Sequence, residues 1–154
     1  KFLTYTDVVF SSHEVFFYNT DTHPDFSWKD FTELKKFKIG VVKGYTYADV
    51  FLKAVKDVPL TVEEAGSSED NLRKLFSGRV DLIEDDEAVA NMLLSQHPEW
   101  RAKIRMAVTP VAEFQFHMAF SNKSKALPLL PKVNRVIREL QEQGYMDKLL
   151  NRGQ

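Results

Sequence analysis

Short apolar runs alternate along this chain with amphipathic stretches of helical period. His13–Asn19 (HEVFFYN) is aromatic and β-branched and predicts a strand. Lys38–Val42, Leu60–Glu64, Val80–Ile83 and Ile104–Val108 are further short apolar runs of strand type. Glu113–Ser121 alternates through Phe114, Phe116, Met118 and Phe120, which predicts another. Between them the period changes. Trp28–Lys36 reads as a short helix capped by Ser27, with Asp30 and Glu33 near its positive end. Tyr47–Lys56 places Tyr47, Val50, Phe51, Ala54 and Val55 on one face. Glu69–Ser77 presents Leu72, Leu75 and Phe76, and Ser67 with Asp70 has capping-box-like spacing ahead of it. Gly78 sits where a helix C-terminal glycine belongs. Asp86–Gln96 forms the next helix and ends at His97-Pro98.

Strands alternating with short helices imply βαβ crossovers, hence an α/β fold with a mostly parallel sheet covered on both faces. Ligands of such sheets bind beyond the C-terminal ends of the strands, at helix N-termini. Lys43–Tyr47 and Glu84–Glu87 occupy that position. The tail differs. Lys125–Gln143 and Tyr145–Asn151 read as two helices broken at Gly144, the first with an apolar stripe from Leu129 through Val133, Val136 and Ile137 to Leu140.

A length of 154 residues predicts one domain, or one lobe with appendages. The formal net charge of −1 carries no basic excess of the kind nucleic acid requires. No apolar run approaches the roughly 18 residues of a membrane span. The chain has no cysteine, which excludes thiolate chemistry and a disulfide framework. It begins at Lys1 in a β-like segment, without an initiator Met or signal peptide, so a processed or excised piece is expected. His13, His23, His97 and His117 are scattered, and no two share the spacing of a helical zinc pair. His117 is expected to be structural or solvent-exposed. Asp21–Asp25 reads as a turn, because the glycine and distal Glu of a calcium loop are missing. No cofactor or metal motif is present, and the chain is not expected to be an enzyme.

Four segments point to a family. Gly40–Tyr47 (GVVKGYTY) resembles the strand–loop–helix "VGV-x-x-GT-[TS]" of family 3 bacterial solute-binding proteins. Asn71–Asp81 (NLRKLFSGRVD) resembles their "A-L-x-x-G-R-V-D-A" segment, and Asp86 falls where they often carry an acid. Asn134–Arg152, with Gly144-Tyr145-Met146-Asp147-Lys148, resembles their closing helices. Tyr5-Thr6-Asp7 resembles the "F-S-D-P-Y" hinge, with Val8 and Val9 in place of Pro and Tyr.

The resemblance implies a periplasmic-binding-protein type II lobe with two C-terminal helices. Residues 1–12 would be a hinge segment from a missing lobe 1. Residues 13–119 would be ligand-binding lobe 2, and 120–154 the return hinge and helices that normally pack on lobe 1. It implies binding of a small polar solute, an amino acid, in an inter-lobe cleft, as the periplasmic component of an ABC importer docking on a permease. The alternatives are a sensory input domain of a membrane receptor and an enzyme of the same fold, a dehydratase or lytic transglycosylase relative. A cleft acid such as Asp86 or Glu84 with a strongly raised pKa would favour the enzyme.

A free amino acid brings a carboxylate and an ammonium. The carboxylate suits helix N-terminal amides, near Tyr45, Thr46 and Tyr47, with the Thr46 hydroxyl as a further donor. The ammonium suits Asp86, which the resemblance selects among Glu84–Glu87. Plainer roles stand beside these. Thr46 could be an ordinary N-cap. The acids could simply favour a helix N-terminus, at roughly 0.3–1 kcal/mol each. One of the two tyrosines is expected to point into the lobe. Ser67 and Ser68 suit capping, with ligand contact by Ser68 the lesser reading. With lobe 1 missing, the Leu129–Leu140 stripe would lie exposed. Packing of that stripe, Leu130 included, onto itself or onto a second copy is then expected, exchange of the C-terminal helices being one route.

Overall fold

A computed structural model describes residues 2–145 and residue 148. The chain forms two compact units, one of His13–Glu113 and one of Lys1–Ser12 with Phe114–Gln154.

The larger unit is built on a five-stranded sheet. Its strands are β2 (Phe10–Asn19), β3 (Lys38–Val42), β4 (Thr61–Ala65), β5 (Leu82–Asp86) and β6 (Ile104–Phe116), in the order β4-β3-β5-β2-β6. Strands β4, β3 and β5 run parallel, while β2 runs antiparallel to β5. The sheet is therefore mixed, with its parallel part confined to three strands. Its helices are α1 (Asp49–Asp57), α2 (Ser68–Phe76), α3 (Glu87–Gln96) and α4 (Pro98–Arg101).

The period of two along each strand divides the core into two layers. Val15, Phe17 and Ile83 face Leu72, Leu75, Ala90 and Leu94 of α2 and α3. Phe16, Ile39, Val41 and Leu82 face Trp28, Leu34, Tyr47 and Phe51. Gly40 lets α2 approach the sheet: a Cβ there would lie 2.2 Å from Asn71 Oδ1 and 3.1 Å from Ile83 Cγ2.

Several boundaries differ from the pattern. The segment after Ser27 is a 3-10 helix, Phe31–Lys36, capped by Asp30, whose carboxylate accepts Thr32 N–H at 2.8 Å. Ser27 is not its cap, because Trp28 turns into the core, where its Nε1 donates to Thr109 O at 3.0 Å. The two expected strands over 104–108 and 113–121 are one long strand, β6, followed by β7 (Ala119–Ser121). Pro110 is tolerated within β6 because that strand lies at the sheet edge. Strand β5 begins and ends later than expected and runs through Glu84, Asp85 and Asp86. Ser67 caps α2 as the spacing predicts, accepting Asp70 N–H at 3.1 Å, and Gly78 adopts φ 70°.

In the smaller unit, β1 (Leu3–Tyr5) pairs antiparallel with β7. His117 Nδ1 lies 2.8 Å from Thr6 O, a structural role. A 3-10 turn, Leu127–Leu129, leads into α5 (Leu130–Glu142), where the sequence predicted a single helix from Lys125. Asn134 Oδ1 accepts Asp7 N–H at 3.0 Å, Arg138 pairs with Asp7, and Gln141 Nε2 donates to Val8 O at 2.8 Å. Along the predicted stripe only Ile137 is fully buried. Leu129 (53 % exposed) and Val136 (41 %), with Val133 and Leu140, line an apolar groove of about 500 Å³. Gly144 adopts φ 61° after α5. The helix expected over Tyr145–Asn151 lies for the most part outside the described residues.

Candidate ligand-binding site

Because β4, β3 and β5 are parallel, their C-terminal ends share one edge of the sheet. Three connections leave from it: Lys43–Ala48 into α1, Gly66-Ser67 into α2, and Asp86 directly into α3. Strand β2 runs the other way, so its first half reaches the same edge, with Glu14 opposite Asp86. The proposed residues of the three loops therefore share one rim, together with His13 and Glu14.

The rim divides into exposed and inward-turned groups. Tyr45 is 52 % exposed, and Thr46 is exposed beside it. Tyr47 turns inward. Its phenol oxygen accepts Val42 N–H at 2.6 Å, and its ring packs 5.7 Å from Phe51. That bond draws the chain back toward β3, so α1 starts at Asp49 rather than Tyr47. Nor is Thr46 the cap of α1. The N-cap position falls on Ala48, which has no capping side chain, and Glu14 Oε2 accepts Ala48 N–H at 2.9 Å. Ser68 is the first residue of α2 and only 4 % exposed, so it lies behind the rim while Ser67 does the capping.

The acidic run divides in the same way. Asp86 is half-buried and caps α3, one carboxylate oxygen accepting Ala88 N–H at 2.9 Å and Val89 N–H at 3.1 Å. Glu87 lies 2.7 Å from His13 Nδ1. Glu84 and Asp85, read from the sequence as part of a helix start, belong instead to β5 and are buried. Strand alternation sends them to opposite faces, Glu84 with Leu82 and Asp85 with Ile83.

Burial pushes the Glu84 carboxyl up to about 11, with the neighbouring Glu14 carboxyl adding to the rise. Glu84 therefore keeps its proton at neutral pH. Burial also raises Asp85 to about 6, opposed by the Ser68 hydroxyl and the Asp86 amide. That amide donates to Asp85 Oδ1 at 2.9 Å. Ser68 Oγ and Asp85 Oδ2 are close enough to influence each other, yet neither makes a hydrogen bond of good geometry. Desolvation likewise lifts the Tyr47 phenol above its ordinary value, the bond to Val42 opposing it.

A cleft acid with a strongly raised pKa would favour an enzyme of this fold. Glu84 has the raised value but lies fully buried, with no exposed surface in this structure. Among the described residues no group of three or more His, Asp or Glu side chains is arranged to hold a metal ion.

Glu14 is the residue that sequence reasoning missed. The available signal was one acid in the apolar run HEVFFYN, two positions before Phe16 and so on the same inward face.

No family model matches the sequence, and no curated protein matches it. Solved structures do. The GluR0 ligand-binding core in complex with L-glutamate matches with TM-score 0.72 at 17 % identity, over 99 % of this chain and 64 % of that one. Substrate-binding domain 2 of Lactococcus lactis GlnP, in open conformation, matches with TM-score 0.72 at 21 % identity, over 97 % and 61 %. The chain has the type II periplasmic-binding-protein fold. An ancestral arginine-binding protein bound to arginine matches this fold with TM-score 0.65 at 25 % identity, over 95 % of the chain and 62 % of that structure. These are binding proteins, in keeping with the resemblance to family 3 solute-binding proteins. The chain covers less than two-thirds of each of them.

Proposed function

We propose that this chain binds a small polar solute, an amino acid, at the edge formed by Lys43–Ala48, Ser67-Ser68 and Asp86. The observation that carries the reading is the placement of Asp86. It stands half-buried at the end of a parallel strand, beside an exposed loop bearing Tyr45 and Thr46. A low-dielectric edge favours an ammonium on such a carboxylate. The exposed Thr46 hydroxyl suits the solute carboxylate. Tyr47, Ser68 and Glu14 shape the edge from behind, and the reading is binding rather than catalysis.

On this reading, residues 13–119 are the solute-binding lobe, and 1–12 with 120–154 connect to a companion lobe. The whole protein would serve as the periplasmic substrate-binding component of an ABC importer, docking on its permease. The groove along α5 would then be covered by that companion lobe or by a second copy of the chain.

A thermal-shift screen against the amino acids, with Asp86→Asn beside the natural chain, tests the reading. Asn caps a helix about as well as Asp, so this substitution removes charge while retaining the cap. A ligand at about 1,000 times its Kd adds roughly 4 kcal/mol of stability. The expected result is a raised midpoint with one class of amino acid, lost in Asp86→Asn while the ligand-free midpoint holds. No shift with any amino acid overturns the reading.

A further inference from the structure

We infer that His13 and Glu14 position the two sides of the proposed edge, each tying down the start of one bordering helix, on opposite faces of the sheet. The inference rests on the solute-binding reading above and deepens it, from the groups that meet the solute to the residues that set their spacing.

His13 and Glu14 are the first two residues of the larger unit and follow one another on β2. Successive residues of a strand point to opposite faces. Glu14 shares the Phe16 face with Tyr47 and Phe51, whereas His13 shares the Val15 face with Ala90 and Leu94 of α3. One helix start falls to each. Glu14 Oε2 accepts Ala48 N–H at 2.9 Å, and His13 Nδ1 lies 2.7 Å from Oε1 of Glu87, the first residue of α3.

The three helices that leave this edge begin differently. Ser67 caps α2 and Asp86 caps α3, each from the position just before the helix. Helix α1 has no capping side chain of its own. Its acceptor comes from 34 positions away, on a strand that β5 separates from β3. Ala48 is buried, and a buried amide without an acceptor is costly, so α1 starts where Glu14 holds it. Thr46, a residue type suited to capping, stays exposed two positions earlier. On the other face, the His13–Glu87 contact steadies the residue next to Asp86. Thr46 and Asp86 are thus set from a single strand. The His13–Glu87 pair is partly open to solvent, so its share is the smaller.

Hydrogen exchange of single amides, followed by NMR on the whole chain, tests this. In Glu14→Leu, which cannot accept a hydrogen bond, the Ala48 amide should exchange at least about tenfold faster while those of Ile39–Val41 hold. Glu14→Gln, whose amide oxygen still accepts, should bring Ala48 back to within about threefold of the natural chain. His13→Ala should speed Ala88 and Val89 by about threefold and leave Ala48 unchanged. Unchanged exchange at Ala48 in Glu14→Leu overturns the inference, and so does a uniform rise across β3, β5 and α1, which a merely structural role would give. If Glu14→Leu does not fold, the natural chain decides: an Ala48 amide protected at least about tenfold over that of exposed Thr46 supports the inference, and equal exchange overturns it. Titration with each common amino acid carries the result to the site. Any that binds the natural chain should lose about tenfold in affinity in Glu14→Leu and recover in Glu14→Gln. Full affinity in Glu14→Leu despite faster exchange at Ala48 overturns the inference and leaves the amino-acid reading standing. Binding of no amino acid by the natural chain overturns that reading, while the exchange pattern still decides whether the two residues hold the helix starts.

Discussion

The sheet edge of the larger unit and the α5 groove of the smaller one each invert the usual distribution of side chains, in opposite senses. The edge buries carboxyls: Glu84 is 0 % exposed and Asp85 2 %. The groove exposes hydrocarbon: Leu129 is 53 % exposed and Val136 41 %. Buried acids and exposed apolar faces are the two departures that stability alone does not favour. The edge keeps its acids because a packed framework holds them. Phe16, Phe51 and Leu82 lie on the Glu84 face, and Ile83, Leu72 and Val15 on the Asp85 face. The groove has no such framework, and its polar anchors sit at its margin, where Asn134, Arg138 and Gln141 tie α5 to Asp7 and Val8. A polar group in the interior is thus fixed in place by its surroundings, while an apolar group on the surface waits for a cover.

The largest effect that would break this contrast is loss of the framework. Phe51 meets Phe16 at 6.1 Å and Tyr47 at 5.7 Å. Phe51→Ala should cost about 3–5 kcal/mol, read from urea unfolding. A loss below about 1 kcal/mol would mean that the acids rest on a yielding interior.

The next effect is one of pH. Glu84 rises from an unfolded value of 4.5 to about 11 in the fold. Between those values the folded chain holds a proton that the unfolded chain has released. The stability this group contributes is therefore full below about pH 4.5 and falls steadily toward pH 11. Asp85, raised from 3.8 to about 6, adds to the fall only at the acid end of that range. Urea midpoints across the alkaline range should decline in the natural chain and flatten in Glu84→Gln. Parallel declines in the two proteins would show that Glu84 already ionises without cost.

The smallest effect lies in the groove. Val136→Lys places a charge on an exposed site and should change monomer stability by no more than about 0.5 kcal/mol. The same substitution should lower any self-association seen by analytical ultracentrifugation. A loss of several kcal/mol would mean that the groove is closed in solution.

Much of the architecture was legible from period alone. Strand β3 matches its apolar run residue for residue, and α2 and α3 fall within one residue of their predicted starts. Ser67 and Gly78 punctuate α2 as their chemistry requires, since a hydroxyl cap and a positive φ are local properties. The acidic run was misread because local chemistry offers two equal answers. Four successive acids suit a helix N-terminus, and nothing local says that Leu82–Asp86 continues as a central strand. Pairing on both sides, with β3 and with β2, decides it. Tyr47 was ambiguous for a similar reason. Helical spacing aligns it with Phe51, whereas its bond to Val42 holds it just outside the helix.

The sequence by itself determined the α/β class, the loops that gather at one strand edge and the apolar stripe of α5, because each follows from periodicity and turn chemistry within a few neighbouring residues. Only the tertiary structure decided which polar side chains lie inside. Glu14 on β2 and Ala48 at the start of α1 are 34 positions apart in the chain, yet joined by one hydrogen bond of 2.9 Å. The burial of Glu84 and Asp85 likewise depends on strands and helices brought together from distant parts of the sequence. Burial and long-range pairing are properties of neighbours in space, which spacing along the chain does not encode.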